Sequence, residues 1–160
     1  MTEKPLRNPL LKMRTVKRRE HFLFNLLCFL YFRKSAAYSI ESRPVGALII
    51  VPYVLFAEAY FLQSLRYFVT IDQRIVGLVA YQENKEALFI SVLATHPFYR
   101  KMGVASFMLN YAVKLAKKLD RRSIELAVLK RNQPAMRLYE KIGFRLKGER
   151  RQSYILTYQV

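Results

Sequence analysis

One cysteine, two histidines and five glycines in 160 residues close several routes before any motif is sought. With Cys28 alone, no intramolecular disulfide can form, and a reducing, cytoplasmic location is the expectation. His21 and His96 are distant in sequence and lack companions, so no metal site is expected. The glycines build neither a G-x-x-x-x-G-K-[ST] phosphate loop nor a G-x-G-x-x-G dinucleotide fingerprint. No repeat, low-complexity tract or Gly/Ser linker divides the chain, which predicts one domain over 13–160 behind a basic arm at 1–12. Acidic residues are also scarce: 11, against 28 lysines and arginines, leave a net charge of +17.

That excess favours polyanionic partners through long-range attraction: nucleic acid, ribosomes, an anionic membrane surface or a phosphorylated cofactor. Seven of the cations fall within the first 20 residues, which suggests an arm more than a dedicated groove. Apolar residues make up 52% of the chain, enough for a packed core and too many for a disordered protein. Two apolar stretches resemble membrane signals, HFLFNLLCFLYF (21–32) and VGALIIVPYVLFAEAYFL (45–62). Asn25 interrupts the first, and Pro52 and Glu58 the second, so both are expected to be core or amphipathic helices and not membrane spans. An acceptor groove is a further use for 45–62. Peripheral contact of both stretches with anionic lipid is kept as a companion reading, although a membrane is not an expected partner.

Periodicity divides the rest. A short strand is predicted at 13–18, a helix at 19–34, a loop at 35–46 and a second helix at 48–63. Residues 65–71, 74–81 and 87–95, rich in β-branched and aromatic side chains with short connectors, predict an antiparallel meander. Apolar positions 104, 107, 108, 111, 115 and 119 predict a helix from Gly103 to Leu119, followed by a strand at 122–129. In NQPAMRLYEKIGF (132–144), Asn132 suits an N-cap, Pro134 the first turn and Gly143 the residue after the helix. Two strands, FRLKGE and SYILTYQV, close the chain. The order β α α β β β α β α β β argues for an α+β domain around one mixed, mostly antiparallel sheet.

One stretch runs against helix electrostatics. In HPFYRKMGVASFML (96–109), Arg100 and Lys101 stand just ahead of a helix, where the dipole favours anions. A bound phosphate or pyrophosphate removes the contradiction, because free N–H groups at the helix start can cradle it and Gly103 allows close approach. RKMGVA, with the preceding VLATHPFYR and the later N-x-x-A-x-x-L-Y-x-x-x-G-F element, resembles the GNAT superfamily of acetyl-CoA-dependent N-acetyltransferases. The resemblance covers about residues 65–160, while 13–64 agree in element order only.

It implies that Arg100, Lys101, Met102, Gly103, Val104 and Ala105 hold the pyrophosphate of acetyl-CoA. It also implies that the main chain of Leu93 and Ala94 polarises the thioester and pairs with the pantetheine arm, that Asn132 bonds the cofactor, and that Tyr139 protonates the departing thiolate. A phenol suits that last task, being protonated at neutral pH. Tyr139 also shares a face with Ala135, Leu138 and Ile142, so a core role stands beside the catalytic one. Peptide-modifying members often carry a Glu on the strand before the Asn. Here Ala127 takes that place, with Glu125 two residues earlier on the same face. Glu125, Glu58, Glu83, Glu86 and a water relay are the candidates for general base. GERRQSY (148–154) loosely resembles a substrate-gripping hairpin, and a solvated hairpin tip is the plainer account.

The expected function is therefore transfer of an acetyl group to a primary amine, with a protein N-terminus or lysine preferred over a polyamine, which a cationic surface repels. The alternative is a basic nucleic-acid- or ribosome-binding module with a vestigial or regulatory CoA site.

Overall fold

The computed structural model describes residues 10–37 and 63–160. The basic arm through residue 9, the predicted helix at 48–63 except its last residue, and Glu58 lie outside the described residues. Strand β1 (Lys12–Thr15) leads into helix α1 (His21–Ala37), which continues three residues past the predicted end at Lys34. The meander follows as β2 (Ser64–Ile71), β3 (Arg74–Glu83) and β4 (Ala87–Thr95). Asp72 and Gln73, both at positive φ (47° and 68°), close its first hairpin in two residues, a geometry that matches the twist of the flanking strands. Helix α2 (Val104–Lys118), β5 (Ser123–Leu129), α3 (Gln133–Ile142), β6 (Arg145–Glu149) and β7 (Ser153–Gln159) complete the described chain.

The seven strands form one sheet in the order β1-β2-β3-β4-β5-β7-β6. Every neighbouring pair is antiparallel except β4 and β5, which run parallel and are joined through α2. The expected mixed, mostly antiparallel α+β sheet is therefore what the chain builds.

Apolar side chains pack on both faces. On one, Val104, Met108, Leu109, Ala112, Leu115 and Ala116 of α2 meet Val79 and Tyr81 of β3 and Ile124, Leu126 and Val128 of β5. Leu109, Ala112 and Ala116 join the buried face here, although the apolar spacing had named their neighbours. On the other face, Phe24 and Cys28 of α1 cover Phe68, Leu78, Ala80, Val92 and Ala94. Gly77 of β3 matters to the geometry: a Cβ there would stand 2.9 Å from Val104 Cγ1 and 3.2 Å from the Ala94 carbonyl. Its bare backbone lets the start of α2 sit directly on the strand.

Candidate active site

Strands β4 and β5 pair only from Ala87↔Ser123 to Ile90↔Leu126 and then part. The cause is local to β4. Against β3, Tyr81 faces Ile90 but Ala80 faces Val92, so Ser91 is an extra residue in the ladder. Such a bulge bends the strand and raises its twist, and here it falls at the first residue beyond the last β5 pair. It also exchanges the two faces. Leu88 and Ile90 lie in the α2-side cluster, whereas Val92 and Ala94 lie in the α1-side cluster.

Beyond the bulge, the main chain of β4 borders an open gap. The His96 N–H donates to the Val76 carbonyl at 2.9 Å, which makes Gly77↔Thr95 a pair without mutual hydrogen bonds. By alternation Ala94 bonds Leu78, while Leu93 and Thr95 turn their N–H and C=O groups away from β3, toward the gap. Of the expected pair Leu93 and Ala94, then, Leu93 faces the opening and Ala94 is committed to β3. Thr95 is the second open position, which residue type alone does not reveal.

After β4 a short turn (Pro97–Tyr99) is held by His96, whose Nδ1 accepts from the Phe98 N–H at 3.3 Å. This fits the structural reading of His96. Lys101 and Gly103 both take positive φ, 61° and 80°, and so curl the chain into α2. A lysine there stores strain that glycine would not. Gly103 is the N-cap, has no side chain to offer, and opens onto empty space at its Cβ position. No acidic residue occupies the first turn of α2, and Arg100 and Lys101 form no ion pair with a described residue. The arrangement is a concave set of N–H donors with two cations beside it, able to receive an anion at the mouth of the gap.

The partner strand ends differently. Asn132 caps α3 through Oδ1, which accepts from the Ala135 N–H at 3.3 Å, and its amide nitrogen has no partner among the described residues. Because β4 and β5 are parallel, Asn132 and the Arg100–Ala105 loop lie at the same end of the sheet. The β6–β7 hairpin reaches that end too. The Lys130 N–H donates to the Gln152 carbonyl at 3.0 Å, and Lys130 Nζ pairs with Glu149.

Tyr139 is buried at 8% exposure, with its ring 5.7 Å from that of Phe144. Burial pushes its phenol up to about 12, so the proton is held throughout the neutral range. Its hydroxyl has no hydrogen-bond partner among the described residues. The other carboxylate candidates separate cleanly. Glu125 lies on β5 beside the last β4 pairs and binds Lys147 Nζ at 2.5 Å. Glu83, paired with Arg121 at 3.0 Å, and Glu86 lie at the opposite, closed end of β4. Neither is brought to the gap. No described helix is long and apolar enough to cross a membrane.

Comparison with known proteins agrees with this fold. The acetyltransferase (GNAT) family model matches residues 29–144. Over 65 residues the chain is 34% identical to an uncharacterized N-acetyltransferase of Methanocaldococcus jannaschii, a match covering 41% of this chain and 29% of that protein. The fold is shared with the PaiA N-acetyltransferase of Thermoplasma acidophilum, solved in complex with coenzyme A (TM-score 0.73, 16% identity, 94% of this chain and 99% of that one). It is shared as well with a GNAT family acetyltransferase of Elizabethkingia anophelis, solved with acetyl-CoA bound (TM-score 0.69, 14% identity, 94% and 99%).

Proposed function

The chain belongs to the acetyltransferase (GNAT) family, and from that premise we propose that it moves an acetyl group from acetyl-CoA directly to a primary amine. The observation that carries this reading is the β4–β5 gap ending on a helix start that has donors and cations but no cap of its own.

Arg100, Lys101 and the main chain of Met102, Gly103, Val104 and Ala105 hold the pyrophosphate in this proposal. Acetyl-CoA brings the activated thioester. The Leu93 main chain points an N–H into the gap, where it bonds the thioester oxygen as negative charge collects there. The Asn132 amide nitrogen donates to the pantetheine arm. The acceptor nitrogen bonds to the carbonyl carbon, the C–S bond breaks, and the sulfur takes its proton from the Tyr139 hydroxyl. The proton shed by the amine passes through water to Glu125, the candidate carboxylate nearest the gap, which is bonded to Lys147.

For the acceptor we prefer a protein N-terminus or a lysine side chain to a polyamine, on the charge of +17, and for location the cytoplasm. The nucleic-acid alternative gains little support, because Phe24, Phe68, Tyr81, Tyr139 and Phe144 are buried and unavailable for base stacking.

Calorimetry of acetyl-CoA binding by the full chain, beside an Arg100→Ala/Lys101→Ala variant, tests the site. Micromolar-range binding that weakens in a folded variant supports it, and an acceptor screen with N-terminal peptides, lysine peptides and polyamines then identifies the amine. A wild-type chain that binds no acetyl-CoA overturns the reading.

A further inference from the structure

Helix α1 is apolar on both sides. The side against the sheet includes Asn25, 1% exposed, between Phe24 and Cys28. The side facing solvent is apolar: Phe22 is 64% exposed, Leu23 39% and Leu30 41%, with half-buried Leu26 completing the row. Positions 22, 23, 26 and 30 share one helix face, and at 1.5 Å per residue the row extends about 12 Å. A surface helix of an ordinary soluble domain turns such a row inward.

The row begins at a cationic collar. Lys17, Arg18 and Arg19 are exposed immediately ahead of α1. The nearby acid, Glu20, is already engaged by Arg14 Nη1 at 2.7 Å and the Lys17 N–H at 2.9 Å. From His21 to Ala37 the helix sequence has no Asp or Glu. Apolar side chains flanked by cations, on a helix too short to span, are the chemistry of a segment lying flat in a lipid headgroup region.

We propose that the outward face of α1 docks on an anionic bilayer surface, with Lys17, Arg18 and Arg19 at the phosphates and Phe22, Leu23, Leu26 and Leu30 in the acyl boundary. Charge complementarity selects this occupant. Nucleic acid would satisfy the collar but leave an aliphatic row in water. A second copy brings its own +17, which opposes association. Docking this way leaves the anion loop free, because α2 packs on the opposite sheet face. It reverses the weight given to a membrane from the sequence alone.

The chain contains no tryptophan, so Phe22→Trp places a single tryptophan, selectively excited beyond the tyrosine band, in the row. With vesicles of phosphatidylcholine and phosphatidylserine, its emission shifts to the blue and is quenched by brominated lipid. Affinity falls about 100-fold on pure phosphatidylcholine, and about fivefold for each cation removed in Arg18→Ala/Arg19→Ala. Phe22→Ser/Leu23→Ser and, separately, Leu30→Ser weaken binding at unchanged far-UV circular dichroism. Four results overturn the proposal: no spectral shift on anionic vesicles; loss in the charge variant with none in the serine variants; a tryptophan already blue-shifted without lipid, which means the chain covers its own row; or a dimer in sedimentation that Phe22→Ser dissolves.

Discussion

Helices α2 and α3 both begin where a strand of the parallel pair ends, yet they begin in opposite ways. The α3 start closes on itself. Asn132 accepts from the Ala135 N–H, Pro134 removes one donor from the first turn, and Gln133 Nε2 donates to the Lys130 carbonyl. The α2 start is left open, with a glycine for a cap, no acid in its first turn, and a lysine held at a positive φ beside it. Helix ends normally satisfy their free N–H groups from within the chain. Where one end does and its neighbour does not, the unsatisfied end is the one our proposal assigns to an outside anion.

The largest test of that contrast is Gly103→Glu. A carboxylate at the cradle lowers acetyl-CoA affinity by about 100-fold, a like-charge cost of several kcal/mol. The fold survives, because the new side chain enters open space and strains only one residue. Calorimetry with a melting curve separates the two effects.

Next comes Tyr139→Phe, which asks whether α3, closed at its start, contributes chemistry further along. Loss of the proton donor lowers kcat by about 100-fold with KM for acetyl-CoA unchanged. A purely structural tyrosine would move neither, since its hydroxyl is unbonded within the described residues. The pH profile adds a sign. The buried phenol binds its proton more tightly folded than unfolded, so its contribution to stability is complete below pH 10.0 and disappears as pH rises toward about 12. No descending limb in kcat due to Tyr139 is therefore expected below pH 10.0.

Lys101→Gly has a smaller effect and a more telling sign. It relieves the positive φ, so the melting temperature is unchanged or higher, while acetyl-CoA affinity falls about tenfold with the lost cation. A fall in both would make Lys101 a structural residue. Smallest is Asn132→Ala, which removes the α3 cap at a cost of about 1 kcal/mol, read as a shifted denaturant midpoint. An accompanying loss of acetyl-CoA affinity ties its free amide nitrogen to the ligand.

Much of this architecture is legible in residue order because it rests on local rules. The helical spacing from Val104, the Asn-x-Pro start and Gly143 stop of α3, and the meander connectors all act within a few residues of themselves. The candidate anion loop is a local feature for the same reason: two cations before a glycine contradict the helix dipole in plain view. What stays hidden depends on neighbours distant in the chain. In ALFISVLAT nearly every residue is apolar, and Leu88, Ile90, Val92 and Ala94 are all buried, so alternation suggests one continuous face. Only the register with β3 reveals that Ser91 divides them. Likewise, Lys147 reaches Glu125 because β7 lies between β5 and β6 and Lys147 is itself an extra residue in the β6 ladder. No spacing in the sequence announces that pair, nor does a lysine signal a left-handed conformation.

The additional residue in β4 also determines which kinds of genetic change the strand can absorb. A replacement at Ser91 alters one side chain, whose hydroxyl makes a single bond to the Ala80 carbonyl at 3.2 Å. Deleting the Ser91 codon would instead leave Ile90 facing α2 and Val92 and Ala94 facing α1 in a regular ladder with β3, and would remove the bend at which β4 leaves β5. For this stretch, inheritance must conserve a number before it conserves a letter.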